Sequence, residues 1–311
     1  MNSRPHSLGV AAAGLSFQNP VVLAAGTAAY GRELAGVMNL DALGGIVTKA
    51  VSVESRNGAP SPRVAEFDGG MINAVGLANP GLDAARRDDM PWLAANIRNA
   101  RVIVNVVGSA VEDFSTVVAG LEDAARIDAY ELNVSCPNVR AGGLEFGADN
   151  ATLSALIARA RRETRRPLFV KLSPTLSNIA DAARVAADAG ADGLSLINTI
   201  PGLVVDVATR RPALGFGTGG VSGAGLLPVG VLAVWKVSRA VRLPLLGIGG
   251  VMKGTDAIQY ILAGASLVGV GTAALRDPRA PERIAGEIGD WCASNSVSSL
   301  TEIVGALQWP T

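Results

Sequence analysis

A (β/α)8 TIM barrel of the α/β class is predicted by three observations. Eight short apolar runs recur along 311 residues, Ala- and Leu-rich helical stretches separate most of them, and three connections are long and rich in Gly, Pro and Asn. Continuous apolar strands bounded by turn residues suit a parallel sheet buried on both faces. Such barrels run to about 250 residues plus insertions, so the length fits one barrel.

Taken in order, the run Leu8 to Leu15 (LGVAAAGL) could pass for a minimal signal-peptide core, but its flank is poor and no convincing A-x-A cleavage site follows. Leu8 to Pro20 reads as a short hairpin at about 8–20. The strand runs follow as VVLAA (Val21 to Ala25), GIVTKA (Gly45 to Ala50), VIVNVV (Val102 to Val107) and YELNVS (Tyr130 to Ser135). LFVKLS (Leu168 to Ser173), GLSLIN (Gly193 to Asn198), LLGIGG (Leu245 to Gly250) and LVGVGT (Leu267 to Thr272) complete the eight. Between the fifth and sixth, Ile179, Ala183, Ala186 and Ala187 recur at helical spacing before Gly190, a candidate helix C-cap. The same grammar, helix then Ala-Gly-Ala then strand, recurs at Leu262 to Ser266. An open doubly wound sheet is the competing fold. It should carry Gly-x-Gly-x-x-Gly after the first strand, and Ala25-Gly26-Thr27-Ala28-Ala29-Tyr30-Gly31 lacks that spacing. The long connections, Val51 to Asp83, Pro137 to Asn150 and Thr199 to Gly225, would all emerge on the C-terminal face, where barrels keep their active sites. No linker or low-complexity tract interrupts the chain, so 1–311 reads as one domain.

Composition narrows the chemistry. Lys and Arg total 27 against 27 Asp and Glu, and aromatics are 4%, which argues against a nucleic-acid surface. The lone histidine, His6, sits in the N-terminal tail, away from any triad or multi-histidine zinc site. Two cysteines, Cys136 and Cys292, exclude a disulfide framework and cannot ligate an ordinary iron–sulfur cluster. No apolar stretch is long enough to span a bilayer, and a cytoplasmic setting is expected.

The strand ends carry the candidate site. Two of four lysines, Lys49 and Lys171, fall near the ends of strands two and five. Asn105, Asn133 and Asn198 hold comparable places on strands three, four and six, and Asn73 lies in the first long loop. Amides offer a donor and an acceptor together, matching imide or lactam edges of a flat heterocycle, and the lysines suit an anion. The plainer alternative is that these side chains satisfy backbone groups or pair with Glu131, which alternation with Asn133 turns inward. Strands seven and eight end in Gly247-Ile248-Gly249-Gly250 and Gly269-Val270-Gly271-Thr272, where backbone N–H groups can approach a phosphate, and Gly219 to Gly223 offers a third such loop. Cys136 begins a Pro- and Gly-containing loop after strand four, where a thiol can accept a proton. Cys292 reads as a small buried hydrophobe.

Together these segments resemble class 1 dihydroorotate dehydrogenases over nearly the whole chain. The matching stretches are Ala25-Gly26-Thr27 with Tyr30 to Glu33, Thr48-Lys49-Ala50, Pro60 to Glu66, Gly70 to Gly81, Asn133 to Asn138, Val170-Lys171-Leu172-Ser173-Pro174 and Ile197-Asn198-Thr199. The resemblance implies an FMN-binding barrel that oxidises dihydroorotate to orotate in pyrimidine (UMP) biosynthesis, Cys136 taking the C5 proton while the C6 hydride goes to flavin N5. It implies an orotate-binding set of Lys49, Asn73, Asn133, Asn138, Asn198 and Thr199, with backbone help from Met71, Gly76 and Leu77. For FMN it implies Ala25, Gly26, Lys49, Asn105, Asn133, Lys171 and Ile197, with Lys171 near flavin N1 and O2. Gly223, Gly249, Gly250, Gly271 and Thr272 fall to its phosphate.

The wording of Gly70 to Leu77 and Pro62 to Glu66 is most similar to the NAD-linked branch. That branch implies a homodimeric core of a heterotetramer, with a second subunit carrying FAD and a [2Fe–2S] cluster. One departure stands out: where the branch shows Ser-Gly-Pro-Ala followed by a lysine, this chain has Ser222-Gly223-Ala224-Gly225-Leu226-Leu227. The competing readings are a fumarate-linked enzyme, another flavin barrel such as a dihydropyrimidine dehydrogenase, a Schiff-base aldolase using Lys49 or Lys171, and a non-catalytic binding barrel.

Overall fold

The computed structural model describes residues 8–135, 137–138 and 144–310. At its centre eight strands close into a parallel barrel: β1 (Val21–Leu23), β2 (Gly45–Val47), β3 (Arg101–Val106), β4 (Ala129–Asn133), β5 (Leu168–Leu172), β6 (Gly193–Leu196), β7 (Leu245–Ile248) and β8 (Leu267–Val270). They pair in chain order, and β8 returns to β1. Every residue of β1, β2, β5, β6, β7 and β8 is buried, which is why these runs are apolar rather than alternating.

The outer ring consists of α1 (Met90–Asn96), α2 (Val111–Leu121), α3 (Asn150–Glu163), α4 (Ile179–Asp188), α5 (Leu227–Ser238), α6 (Gly254–Ala263), the short α7 (Thr272–Arg276) and α8 (Ala280–Ser294). Asp149 caps α3 by accepting from Thr152 N, and Asn178 caps α4 by accepting from Asp181 N. After α4 the Ala191 N–H reaches the Ala186 carbonyl at 3.0 Å and Gly190 N–H reaches Ala187, a Schellman closure. After α6 Ala265 and Gly264 repeat that pair of bonds onto Tyr260 and Ile261. No regular α-helix joins β1 to β2; turns and a 3-10 segment, Leu40–Ala42, take its place. Cys292 lies buried in α8.

The N-terminal end of the barrel is built for stability. The strands Val10–Ala12 and Leu15–Phe17 form an antiparallel hairpin around Ala13 and Gly14, both at positive φ, the backbone of a two-residue type I′ turn. The hairpin lies beneath β2 and β3: Phe17 packs where a Gly45 side chain would be, and Arg101 donates to the Ser16 carbonyl. Asp128, just before β4, pairs with Arg101 at 3.1 Å and Arg126 at 2.7 Å and accepts from Val102 N. Asp192, before β6, likewise binds Arg161 at 2.7 Å and Leu168 N. These carboxylates pin strand starts; conserving chemistry for the other end is the usual division of a barrel.

At the C-terminal end, two of the long loops meet in a way the sequence did not reveal. Residues from the β2 connection (Val64–Phe67 and Gly70–Asn73) and from the β6 connection (Gly219–Ser222 and Ile200–Gly202) form a four-stranded antiparallel sheet. In a closed ring of eight, β2 and β6 stand opposite one another, so this sheet must bridge the mouth. The third long loop contains a small antiparallel pairing of Pro137–Asn138 with Leu144–Glu145. Among the described residues no helix is long and apolar enough to cross a membrane.

Candidate active site

Inside the barrel, side chains alternate in layers. Phe169 on β5 fills the lower interior, and a Cβ on Gly193 of β6 would sit 2.5 Å from its ring, so that position must be bare. Two residues further along, alternation lifts Lys171 and Ser195 into the next layer, where Lys171 registers with Asn133 on one side and Ser195 on the other. The upper layer is thus polar by sequence and by register.

Four of the expected substrate-binding side chains join into one chain that runs from the bridging sheet to the end of β4. Asn73 donates to the Gly220 carbonyl at 3.2 Å. The bare face of Gly220 lies against Thr199, whose Oγ1 would stand 2.1 Å from an added Cβ. Thr199 N–H donates to Asn198 Oδ1 at 2.9 Å, and Asn198 Nδ2 donates to Asn133 Oδ1 at 3.3 Å. Ile197 and Asn198 are themselves fixed by backbone donation to Ile248 and Leu172, at the ends of β7 and β5. Met71 is buried beside this chain in register with Ser222. Gly76 and Leu77 follow in a loop held by Asn79, whose Nδ2 donates to the Leu77 carbonyl and whose Oδ1 accepts from Ser52 and Gly81 N–H groups.

The two lysines are held differently. Lys49 is half-buried after β2; its N–H donates to Ala29, and the Tyr30 hydroxyl donates to the neighbouring Ala50 carbonyl at 3.0 Å. Burial, with the Asp89 and Glu33 carboxylates adding to it, raises the Tyr30 phenol far above its ordinary range, so it remains a donor. Lys171 is only 6% exposed. Neither lysine side chain makes an ion pair or hydrogen bond with a described residue. Asn105, by contrast, is engaged: its Nδ2 donates to Glu131 Oε1 at 2.7 Å, as the plainer alternative expected.

The glycine-rich ends of β7 and β8 approach neighbouring backbone closely. Gly250 has φ +73, and a Cβ there would stand 2.3 Å from Leu227 N at the start of α5. Gly223 has φ +107, and its Cβ would stand 2.6 Å from Gly70 Cα, so the departing segment Ser222 to Leu227 still needs this glycine. Thr272 Oγ1 donates to Ser222 Oγ at 2.8 Å, joining the start of α7 to the bridging sheet. A side chain on Gly271 would meet Ala24 and Thr27 at 3.7 and 3.8 Å, which sets Ala25 and Gly26 beside it. Two other glycines of these runs serve packing instead. Gly247, with Gly230 of α5, makes the slot for Tyr260, and Gly269 leaves room for Ile248. Tyr260 donates to the Gly249 carbonyl at 2.7 Å; burial foremost, with Asp256 adding, keeps its phenol protonated.

Cys136 lies outside the described residues, and for Asn138 only the backbone pairing with Leu144 is described. The hairpin that follows Cys136 is tied to the end of β5, where Ser173 Oγ donates to Glu145 at 3.2 Å. Burial pushes the Glu145 carboxyl above the ordinary range, against the lowering effect of Ser173 and Thr175. Sequence reasoning missed Tyr30, Asn79, Ser195 and Tyr260. Their contacts join residues far apart in the chain, and only the glycines facing Tyr260 left any trace.

A parallel barrel with amides and two lysines at its mouth, the lysines without a partner among the described residues, beside glycine-rich ends of its last two strands, is a barrel enzyme suited to a phosphorylated ligand and a flat polar one. Comparison with known proteins makes this specific. The family model for dihydroorotate dehydrogenase matches residues 7–291. The chain is 43% identical over 301 residues to "Dihydroorotate dehydrogenase B (NAD(+)), catalytic subunit" of Geobacter sp. (strain M21), covering 97% of this chain and 98% of the relative. It is 45% identical over 296 residues to the protein of the same name from Pelobacter propionicus, covering 95% and 97%. A relative from Solibacter usitatus, 47% identical over 296 residues and covering 95% and 97%, carries the name of the other type, dihydroorotate dehydrogenase A (fumarate). The chain belongs to the dihydroorotate dehydrogenase family, oxidoreductases that depend on a flavin.

Proposed function

We propose that the protein is the FMN-bearing catalytic subunit of a class 1B dihydroorotate dehydrogenase, with one barrel domain over 1–311. The observation that carries this reading is the connected chain Asn73, Gly220, Thr199, Asn198 and Asn133, running from the bridging sheet to the end of β4. Its amides and hydroxyl suit the lactam and imide edges of a dihydropyrimidine, and Lys49 suits the substrate carboxylate. Met71, Gly76 and Leu77 would add backbone groups, and Asn138 a further amide. The residues also fit FMN. Bare glycines at 223, 249, 250 and 271 and the Thr272 hydroxyl suit a single phosphate, and Lys171 suits the anionic side of an isoalloxazine. Ala25, Gly26, Asn105, Asn133 and Ile197 would complete the cradle.

When bound, FMN supplies the two-electron acceptor. The protein's own part is to orient the substrate, exclude water beneath the bridging sheet, and receive the C5 proton at Cys136 Sγ. A base so placed is worth about 10²–10⁴-fold. Replacing it tests the reading: Cys136→Ser should lose turnover by at least about 10²-fold at neutral pH while FMN and orotate still bind. Unchanged turnover would remove Cys136 from the base role.

The oxidant is proposed to be NAD, reached through a separate subunit carrying FAD and a [2Fe–2S] cluster, in keeping with the Geobacter and Pelobacter names. The Solibacter name supports fumarate as the second reading. Co-purification from the native host, followed by reoxidation of reduced protein with NAD or with fumarate, separates them. Leu203, Val205, Val207 (86% exposed) and Phe216 expose apolar surface on the β6 connection. This surface supports a homodimeric core, which sedimentation would test.

A further inference from the structure

Glu131 is fully buried, 0% exposed, at the centre of the barrel. A buried carboxylate is costly unless its oxygens are satisfied. Each oxygen here receives one neutral donor: Asn105 Nδ2 reaches Oε1 at 2.7 Å from β3, and Ser195 Oγ reaches Oε2 at 2.5 Å from β6. The carboxylate therefore spans the interior from β3 to β6, past β5, whose Lys171 is the in-register neighbour of Ser195. It forms no ion pair with that lysine among the described residues.

Two consequences follow from elementary chemistry. A carboxylate only accepts, so the Asn105 amide must turn its NH2 toward Glu131 and its carbonyl oxygen away. The end of β3 then offers a hydrogen-bond acceptor, complementary to a ring N–H. Secondly, a fixed negative charge one layer below Lys171 opposes the positive field that an anionic ligand would feel there.

We propose that Glu131 is a positioning residue for the flavin. It locks Asn105 with its carbonyl oxygen free for an N–H of the isoalloxazine, and it moderates the field of Lys171. This rests on the FMN reading above. Glu131→Gln keeps the shape but can donate as well as accept, so the amide is free to flip and the charge is gone. Ser195→Ala keeps the charge but removes one of the two donors that fix the carboxylate, so Asn105 is held less firmly.

The test is FMN affinity, by equilibrium dialysis, and the midpoint potential of the bound flavin, by spectroelectrochemical titration, for wild type and both variants. Thermal unfolding of each would establish folding. Glu131→Gln should bind oxidised FMN about tenfold more weakly while reduced FMN, which gains from the lost negative charge, holds on. The midpoint potential should then rise by about 30 mV, the two-electron equivalent of a tenfold affinity ratio. Ser195→Ala should weaken FMN binding about threefold, in keeping with one weakened hydrogen bond, with the midpoint potential near that of wild type because the charge remains. A folded Glu131→Gln protein with wild-type affinity and potential would overturn the proposal. If that variant fails to fold, Ser195→Ala with wild-type FMN affinity would overturn it instead. Wild-type protein that binds no FMN would overturn the flavin reading beneath it.

Discussion

Gly250→Ala isolates the loop at the end of β7. The added Cβ would lie 2.3 Å from Leu227 N and 2.8 Å from Leu227 Cβ, contacts that real side chains do not make. Because Leu227 opens α5, the strain is relieved only by moving the helix start or the β7 loop. Alanine at this φ of +73 adds about 1–2 kcal/mol on its own. Overlap with packed backbone adds about 1–3 kcal/mol more. Gly14, in the hairpin turn at the opposite end, is the matched control: its φ is +76 and nothing lies within 4 Å of an added Cβ. Gly14→Ala should therefore show the conformational cost alone. Calorimetry should give a melting temperature several degrees lower for Gly250→Ala than for Gly14→Ala, taking about 2–4 °C per kcal/mol for a domain of this size. FMN affinity should fall at least about tenfold, or 1.4 kcal/mol, in Gly250→Ala only. If the two variants melted together and bound FMN alike, the close packing of this loop on α5 would be wrong.

Other perturbations probe separate parts of the account. Tyr260→Phe leaves the Gly249 carbonyl without its 2.7 Å donor, and should cost about 1–2 kcal/mol in denaturant unfolding while weakening FMN binding a few-fold. Lys49→Ala should raise the orotate dissociation constant by at least about tenfold with FMN retained, consistent with losing a charge-assisted contact. Asp41 tests pH dependence. Burial opposes its ionisation, but N–H donors from Ala100, Asn99 and Arg98 outweigh it and hold the carboxyl below its ordinary range. A depressed folded-state value means that this stabilisation is present above the unfolded value of 3.8 and lost as pH falls toward the folded one. Asp41→Asn should thus flatten the acid limb of a melting-temperature profile below about pH 4, near the unfolded aspartate value, relative to wild type.

The barrel was legible because burial on both faces leaves little choice of residue. Six of the eight strands fall within the apolar runs read from the sequence, β3 and β4 each start one residue before theirs, and Gly190 and Leu262 to Ser266 mark real helix ends. What sequence could not show was contact between remote segments. Gly70–Asn73 and Gly219–Ser222 look like loop punctuation, yet they pair across the mouth and bring Asn73 to Thr199 through Gly220. Alternation turned Glu131 inward, but nothing in the chain named Ser195 as its second donor. Repeated glycines at the ends of β7 and β8 carried a mixed message. Gly250 lets its loop pack on the Leu227 backbone at the start of α5, whereas Gly247 and Gly269 make room for the Tyr260 and Ile248 side chains, and Gly271 meets only Ala24 and Thr27 at ordinary distances. One-dimensional patterns separate these uses poorly because both need the same missing side chain.

This barrel should reduce a bound flavin at the expense of dihydroorotate. Protein loaded with FMN and kept free of oxygen should lose its visible flavin absorption when dihydroorotate is added and yield orotate in equal amount. Persistence of the oxidised spectrum in correctly loaded, folded protein would contradict the account.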